Sequence, residues 1–130
     1  MKVKRLSITD GGNIAVGKIC NVYAMLLWKG SLKYLLGDGP YWYSAEQFEI
    51  VNPTLPLIWY FTFKEYENVK NNCFYTAIWG YKELVYDKNH NQDLMEREPE
   101  ALEIFLKRKE EIDEFENPEI KKPISENSYY

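Results

Sequence analysis

Residues 18–51, KICNVYAMLLWKGSLKYLLGDGPYWYSAEQFEIV, contain four β-strand patterns separated by turn signals. Both faces of Lys18–Trp28 are largely apolar, which predicts a strand that is covered on much of both sides. Lys29-Gly30-Ser31 predicts a tight hairpin connection, and the glycines and proline of residues 37–40 break the chain again. Ser44–Gln47 has the S-x-x-Q form of a capping box, which predicts one helical turn before the next strand.

A further strand pattern at residues 3–8 brings the number of short strands in residues 3–52 to five, which is typical of a small barrel. The stretches VGKICNVY (16–23), YLLGDG (34–39) and YSAEQFE (43–49) resemble the SH3-like barrels of small bacterial and phage proteins. The resemblance implies an SH3-like antiparallel β-barrel over residues 3–52. The chain lacks the Ala-Leu-Tyr-Asp-Tyr stretch of eukaryotic signalling SH3 domains, so the resemblance does not extend to their proline-peptide groove.

A second pair of strands follows the predicted barrel. Leu57–Phe63 and Cys73–Trp79 both alternate in the manner of strands. They predict an antiparallel hairpin over residues 56–80 that extends the sheet. Gly80 ends the second strand, and Lys82–Tyr86 is expected to form a short helix.

The clearest helix signal lies at residues 98–116. Pro99 suits the first turn of a helix, where its missing N–H costs nothing. Apolar residues then recur near a spacing of three or four, at Ala101, Leu102, Phe105, Leu106, Ile112 and Phe115. The predicted fold class is therefore α+β, with the barrel, the hairpin and a long C-terminal helix forming a single domain over residues 1–116. Residues 117–130 are expected to be a mobile polar tail.

Composition narrows the classes of function. The chain has 130 residues, 45% hydrophobic and 28% charged, with a net charge of −4. An acidic balance argues against a dedicated nucleic-acid binder. No apolar run is long enough for a membrane helix, and the N-terminal stretch does not read as a signal peptide. Cys20 and Cys73 are therefore expected to be reduced, buried thiols of a cytoplasmic protein.

Candidate catalytic groups are scarce. His90, the single histidine, lies in a polar stretch and is expected to be a solvated loop residue. A catalytic triad would have to use His90, and a zinc site would need more cysteine and histidine ligands than the chain offers. No phosphate-binding glycine motif is present. The sequence therefore predicts no enzyme activity, no cofactor and no metal ligand.

One polar segment, residues 87–98, leaves an alternative open. Its oxygen-bearing side chains follow EF-hand spacing: Asp87, Asn89, Asn91, Asp93 and Glu98. Gln92 stands where glycine permits the sharp turn of such a loop, and Pro99 follows the glutamate. The segment is interpreted as the entry to the C-terminal helix, with a calcium or small-ligand site as the alternative.

The candidate partner-binding residues fall into two groups. Four acids near the end of the long helix form either a solvated face or a docking surface for a basic partner: Glu110, Glu111, Asp113 and Glu114. Four aromatics flank the tight turns, where some rings must face water: Trp28, Tyr41, Trp42 and Tyr43.

These features favour a non-catalytic protein-binding module. A narrower hypothesis is a bacterial or phage inhibitor or immunity-type protein that masks a basic partner, such as a nuclease. Weak binding of single-stranded nucleic acid on the aromatic barrel face is a further alternative, against which the scarcity of Lys and Arg between Val51 and Trp79 argues. The sequence leaves the oligomeric state and the identity of any partner open.

Overall fold

The computed structural model of the protein describes residues 1–8, 13–63 and 77–118. These ranges contain the strands β1 Lys2–Arg5, β2 Ile19–Asn21, β3 Ala24–Trp28, β4 Ser31–Leu36, β5 Tyr41–Ser44, β6 Phe48–Asn52, β7 Tyr60–Phe63 and β8 Ala77–Gly80. A 3₁₀ turn at Ala45–Gln47 precedes β6, and β8 is followed by α1 Lys82–Tyr86, α2 His90–Met95 and α3 Pro99–Glu116. None of the helices in these ranges has the length and apolar character needed to cross a bilayer.

The strands form two antiparallel sheets. The smaller has the order β2-β1-β6, and the larger has the order β5-β4-β3-β8-β7. At the junction of β2 and β3, the Val22 N–H donates to the Met1 carbonyl at 3.0 Å, whereas the Tyr23 N–H donates to the Leu35 carbonyl at 3.0 Å. The chain therefore leaves the smaller sheet and enters the larger one between these two residues.

The larger sheet buries both of its faces because successive side chains of a strand point to opposite sides. One face packs on the helices in a cluster that includes Ala24, Leu26, Leu35, Ile78, Leu84, Leu94, Phe105 and Ile112. The other face packs on the smaller sheet in a second cluster that includes Met1, Val3, Val22, Tyr34, Leu36, Tyr43 and Phe48. Trp59 packs against both clusters.

The α+β class and the C-terminal helix are confirmed, but the two sheets do not close into a barrel. The 3₁₀ turn directs β5 and β6 into different sheets, where β5 pairs with β4 and β6 pairs with β1. Within the described ranges, no ladder joins β5 to β6. The other edge of β3 is taken by β8, so the larger sheet extends sideways rather than curling back on the smaller one.

Two local predictions around the sheets have different outcomes. The short helix at Lys82–Tyr86 is present as α1. The turn after Ser44 is present as a 3₁₀ turn, but the Ser44 side chain makes no capping hydrogen bond, so the predicted capping box does not form. The Phe48 N–H closes the turn by donating to the Ala45 carbonyl.

The strands predicted as a hairpin do pair and extend the larger sheet. β7 and β8 are antiparallel, with Phe63 opposite Ala77, and β8 pairs in turn with β3. The first strand begins at Tyr60 rather than Leu57, because the Trp59 N–H donates to the Pro56 carbonyl in a turn. The predicted strand residues 73–76, the connection 64–72 and residues 119–130 of the predicted tail lie outside the described residues.

Candidate functional site

The four aromatics proposed from sequence do not form one surface. On β5, Trp42 points to the helix side and donates its Nε1–H to Asn91 Oδ1 at 2.8 Å. Tyr41 and Tyr43 point to the opposite side, where Tyr43 is buried against Phe48 and Tyr41 is half exposed against Tyr43. The alternation of a strand separates these neighbours in sequence.

Trp28 lies on the helix side of the larger sheet, at the end of β3. The ammonium groups of Lys29 and Lys33 lie 5.0 and 5.6 Å from its ring. These are cation–π distances, so two lysine ammonium groups partly cover the ring. Trp28 is therefore only partly available to a partner.

Four further exposed aromatic rings lie on β7 and α1. Phe61 and Phe63 of β7 are 49% and 73% exposed, and Tyr60 of β7 and Tyr86 of α1 are also exposed. The rings of Tyr60 and Tyr86 meet edge to face with centroids 5.5 Å apart. We call these four residues the aromatic edge, because β7 is the last strand of the larger sheet within the described residues.

Sequence reasoning missed the aromatic edge although it carries a signal. Residues 60–63 read Tyr-Phe-Thr-Phe and include no charge, glycine or proline, the features that usually protect an edge strand from pairing. Because β7 carries aromatic side chains on both of its faces, both faces would have to be covered by other elements to bury all of these rings. That cover is incomplete at the end of a sheet, and only the strand order shows that β7 is the last strand of the larger sheet in the described ranges.

Of the four acidic residues predicted to bind a partner, two face solvent and two contact other side chains of the protein. Glu110 and Glu114 face solvent, and Glu100 and Glu103 of the first turns are also exposed. Glu103 precedes Glu110 by seven residues and Glu114 by eleven, which are two and three helical turns. We call these four residues the acidic face of α3. This spacing is visible in the sequence, so periodicity alone could have predicted that Glu100 and Glu103 share a face with Glu110 and Glu114.

Asp113 points inward and fixes the end of α3 to the strands. Its Oδ1 accepts hydrogen bonds from Asn21 Nδ2 at 2.9 Å and from the Tyr23 hydroxyl at 2.7 Å, and its Oδ2 accepts one from Lys109 Nζ at 2.8 Å. Burial alone would raise the pKa of Asp113, but the hydrogen bonds from these three donors outweigh it and hold the pKa below its ordinary value. Asp113 therefore serves the fold.

Glu111 also takes part in an internal network. Arg108 donates to Glu111 Oε1 at 3.0 Å and to both carboxylate oxygens of Glu83 at 2.9 Å. The hydrogen bonds from Arg108 hold the pKa of Glu83 below its ordinary value. This network connects α3 to α1, the helix that carries Tyr86 of the aromatic edge.

His90 is buried, so the prediction of a solvated loop residue was wrong. His90 is the first residue of α2, and only 2% of it is exposed to solvent. Its Nε2 and the Tyr81 hydroxyl are hydrogen-bonded at 2.7 Å. Burial lowers the pKa of His90.

The segment with EF-hand spacing does not form an EF-hand loop, because α2 occupies its centre. Asp87 Oδ1 accepts a hydrogen bond from the Asn89 backbone N–H, and Asn91 is bonded to Trp42. Across the described ranges, no three His, Cys, Asp or Glu side chains converge in a way that could hold a metal ion. Cys20 is half-buried, and burial raises the pKa of its thiol, which disfavours the reactive thiolate.

Comparison of the chain with known protein families, curated proteins and solved structures finds no match.

Proposed function

We propose that the chain is a non-catalytic protein-binding module whose aromatic edge anchors a partner with a basic surface. The aromatic edge carries this proposal. Large exposed rings on a terminal strand and on the adjoining helix are typical of interface anchors. A ring supplies a large apolar area at a small entropic cost, since few torsions are frozen when it binds.

The distribution of charge supports a basic partner. Residues 82–118 contain twelve acidic and six basic side chains, whereas residues 1–63 contain four acidic and six basic ones. The acidic excess therefore lies in the helical part of the molecule. Such a field steers a basic protein towards the helices before contacts form.

The aromatic edge and the acidic face are connected through α1. Tyr86 of α1 contacts Tyr60 of β7, and Glu83 of the same helix is ion-paired with Arg108 of α3. A partner that covers Tyr60 and Tyr86, on the helix side of β7, would therefore meet the helical surface next. This arrangement suits an inhibitor or immunity-type protein that masks a basic enzyme such as a nuclease.

We also propose that residues 3–52 are an opened SH3-like module. The orders β2-β1-β6 and β5-β4-β3, the crossing of the chain between Val22 and Tyr23, and the 3₁₀ turn before β6 all support this arrangement. In this interpretation the module is a scaffold, and β7, β8 and the helices provide the binding surface.

The experiment compares baits in a lysate of the native host and then measures affinity with the purified partner. The Phe61→Ser/Phe63→Ser variant removes two anchors, and its control, Val16→Ser, removes an exposed side chain elsewhere. We expect one basic protein on wild type and Val16→Ser and its loss from the double variant, since anchor residues dominate binding energy. Equal recovery on all three baits would overturn the assignment of the aromatic edge.

The contribution of charge has a separate test. Glu103→Lys/Glu110→Lys/Glu114→Lys reverses the acidic face, and Glu46→Lys reverses one exposed acid on the 3₁₀ turn. With the purified partner, we expect the triple variant to associate at least about tenfold more slowly at low salt and Glu46→Lys to behave as wild type. An association rate independent of both variants and of salt would contradict a basic partner.

A further inference from the structure

The strand β2 has an outer edge that no other strand covers within the described residues. The Arg5 N–H donates to the Lys18 carbonyl and the Val22 N–H donates to the Met1 carbonyl, so Val3 and Cys20, midway between, form the hydrogen-bonded pair. The intervening residues Ile19 and Asn21 therefore direct their backbone N–H and C=O groups away from β1.

A cleft of about 620 Å³ runs along this edge. Its walls are formed by β2, the preceding loop, the turn after β4 and the end of α3, and its charged lining residues are Lys2, Lys18, Asp38 and Asp113. All three residues of β2 line the cleft although their side chains alternate in direction, so the cleft reaches the backbone edge itself. Its volume lies in the range of ligand-binding pockets.

The free charge in this cleft is positive. The ammonium of Lys2 is bonded to the amide oxygens of Asn21 at 3.1 Å and Asn117 at 2.8 Å, neither of which is charged. Lys18 is exposed, and no carboxylate of the described ranges forms an ion pair with it or with Lys2. Both acids of the cleft share the single ammonium of Lys109: Asp113 at 2.8 Å and Asp38 at 3.3 Å. Three lysines therefore face two carboxylates, and the cleft keeps a net positive charge.

We propose that the β2 edge binds an extended, acidic peptide segment of a partner protein, which adds to the smaller sheet as a strand. Strand addition uses main-chain hydrogen bonds for affinity, and Ile19 and Asn21 present donors and acceptors at the spacing that an extended chain matches. Carboxylates of the segment would face Lys2 and Lys18. The site lies on the smaller sheet, so it is independent of the aromatic edge and of the function proposed for it.

The probe is the peptide acetyl-Glu-Val-Thr-Val-Glu-amide, titrated into the full chain labelled with ¹⁵N. We expect saturable shifts of the Ile19 and Asn21 amide resonances at about millimolar peptide or below. Methylating all five backbone nitrogens of the peptide removes the strand donors on both of its edges and should weaken binding about tenfold or more. The peptide with lysines in place of its glutamates should bind more weakly than the acidic one, and salt should narrow that difference.

Two variants test the protein side of the site. Lys18→Gln should lower the affinity for the acidic peptide severalfold. Lys88→Gln, which changes an exposed lysine in the turn before α2, should leave that affinity unchanged. Ile19→Pro removes an outward N–H, a position that an edge strand tolerates, and should abolish the shift at Asn21. If Ile19→Pro does not fold, the N-methylated peptide still tests the same hydrogen bonds on the unaltered chain.

Three results would overturn this proposal. One is equal affinity for the methylated and unmethylated peptides. Another is a set of shifted amides that lies on β5 or β7 and excludes Ile19 and Asn21. The third is a concentration-dependent dimer that Ile19→Pro converts to monomer, because the β2 edge would then bind a second copy of the chain.

Discussion

At the scale of single residues, Tyr81 and His90 form a buried polar pair whose hydrogen bond can be tested by substitution. Tyr81 is fully buried, and its hydroxyl is the hydrogen-bond partner of His90 Nε2. Tyr81→Phe leaves that nitrogen buried without its partner, which should lower the free energy of unfolding by about 1–3 kcal/mol. Tyr86→Phe removes a hydroxyl from an exposed ring and should change it by less than about 0.5 kcal/mol. Urea denaturation measures both, and equal losses in the two variants would contradict the role of the pair.

His90 should also make stability depend on pH. Burial lowers its pKa in the folded protein, while the facing acids Asp87, Glu83 and Asp93 act in the opposite direction. The unfolded chain therefore takes up the proton first, and the free energy of unfolding should fall as the pH drops below about 6.5. Above about pH 7.5 this group should contribute no slope. His90→Gln should make the free energy of unfolding depend less on pH between about pH 7 and 5. An unchanged slope in that variant would show that His90 does not cause the dependence.

The folded-state titration of His90 can be observed directly. It is the only histidine of the chain, so its ring protons give an unambiguous NMR signal. We expect its midpoint below the ordinary histidine value of about 6.5. A midpoint at or above that value would mean that the three facing carboxylates outweigh burial.

At the scale of elements, the contact between β3, β8 and α1 depends on one missing side chain. A Cβ at Gly80 would lie 2.8 Å from the Ala24 Cβ and 3.2 Å from Leu84 Cδ2. Gly80→Ala should therefore destabilise the fold by about 1–3 kcal/mol through overpacking. Gly39→Ala, where no atom lies within 4 Å of the new Cβ, is the matched control. The double variant Ala24→Gly/Gly80→Ala should recover part of the loss in a thermal melt, and no recovery would refute the proposed clash.

The docking of α3 on the strands has its own test. Asp113→Ala leaves three donors without their acceptor and should cost about 1–2 kcal/mol, since the carboxylate is partly exposed. Glu114→Ala removes a neighbouring acid that faces solvent and should be nearly neutral. Because the pKa of Asp113 is lowered in the fold, its contribution is present above about pH 4 and is lost as the pH falls further. Equal stabilities of the two variants at neutral pH would contradict the anchoring role.

The sequence allowed prediction of elements that nearby residues determine, but not of the arrangement of the sheets, which depends on residues far apart in the chain. Pro99–Glu116 was predictable because a proline and a 3–4 apolar spacing act within a few residues of themselves. The open arrangement of the sheets was not, since it depends on Gly80 pairing with Ala24 across more than fifty positions. The uncharged run at residues 60–63 was a local signal of an unprotected edge, but that Phe63 lies at the end of the sheet and that His90 is buried depend on the long-range arrangement.

At the scale of the whole molecule, two hydrophobic clusters share one sheet. β3, β4 and β5 contribute one face to each cluster, and Trp59 contacts both. Loss of either cluster would expose one whole face of those strands to water. Each cluster therefore depends on the other, although the two sheets are separate.

We accordingly predict a single cooperative unfolding transition. Tryptophan fluorescence and far-ultraviolet circular dichroism should give coincident curves in urea, as expected of a two-state domain of this size. Phe105→Ala in the larger cluster and Val3→Ala in the smaller one should each lower the common midpoint, the first by the larger amount because it removes more buried volume. Two resolved transitions, with each variant shifting only one of them, would show instead that the sheets unfold as separate units.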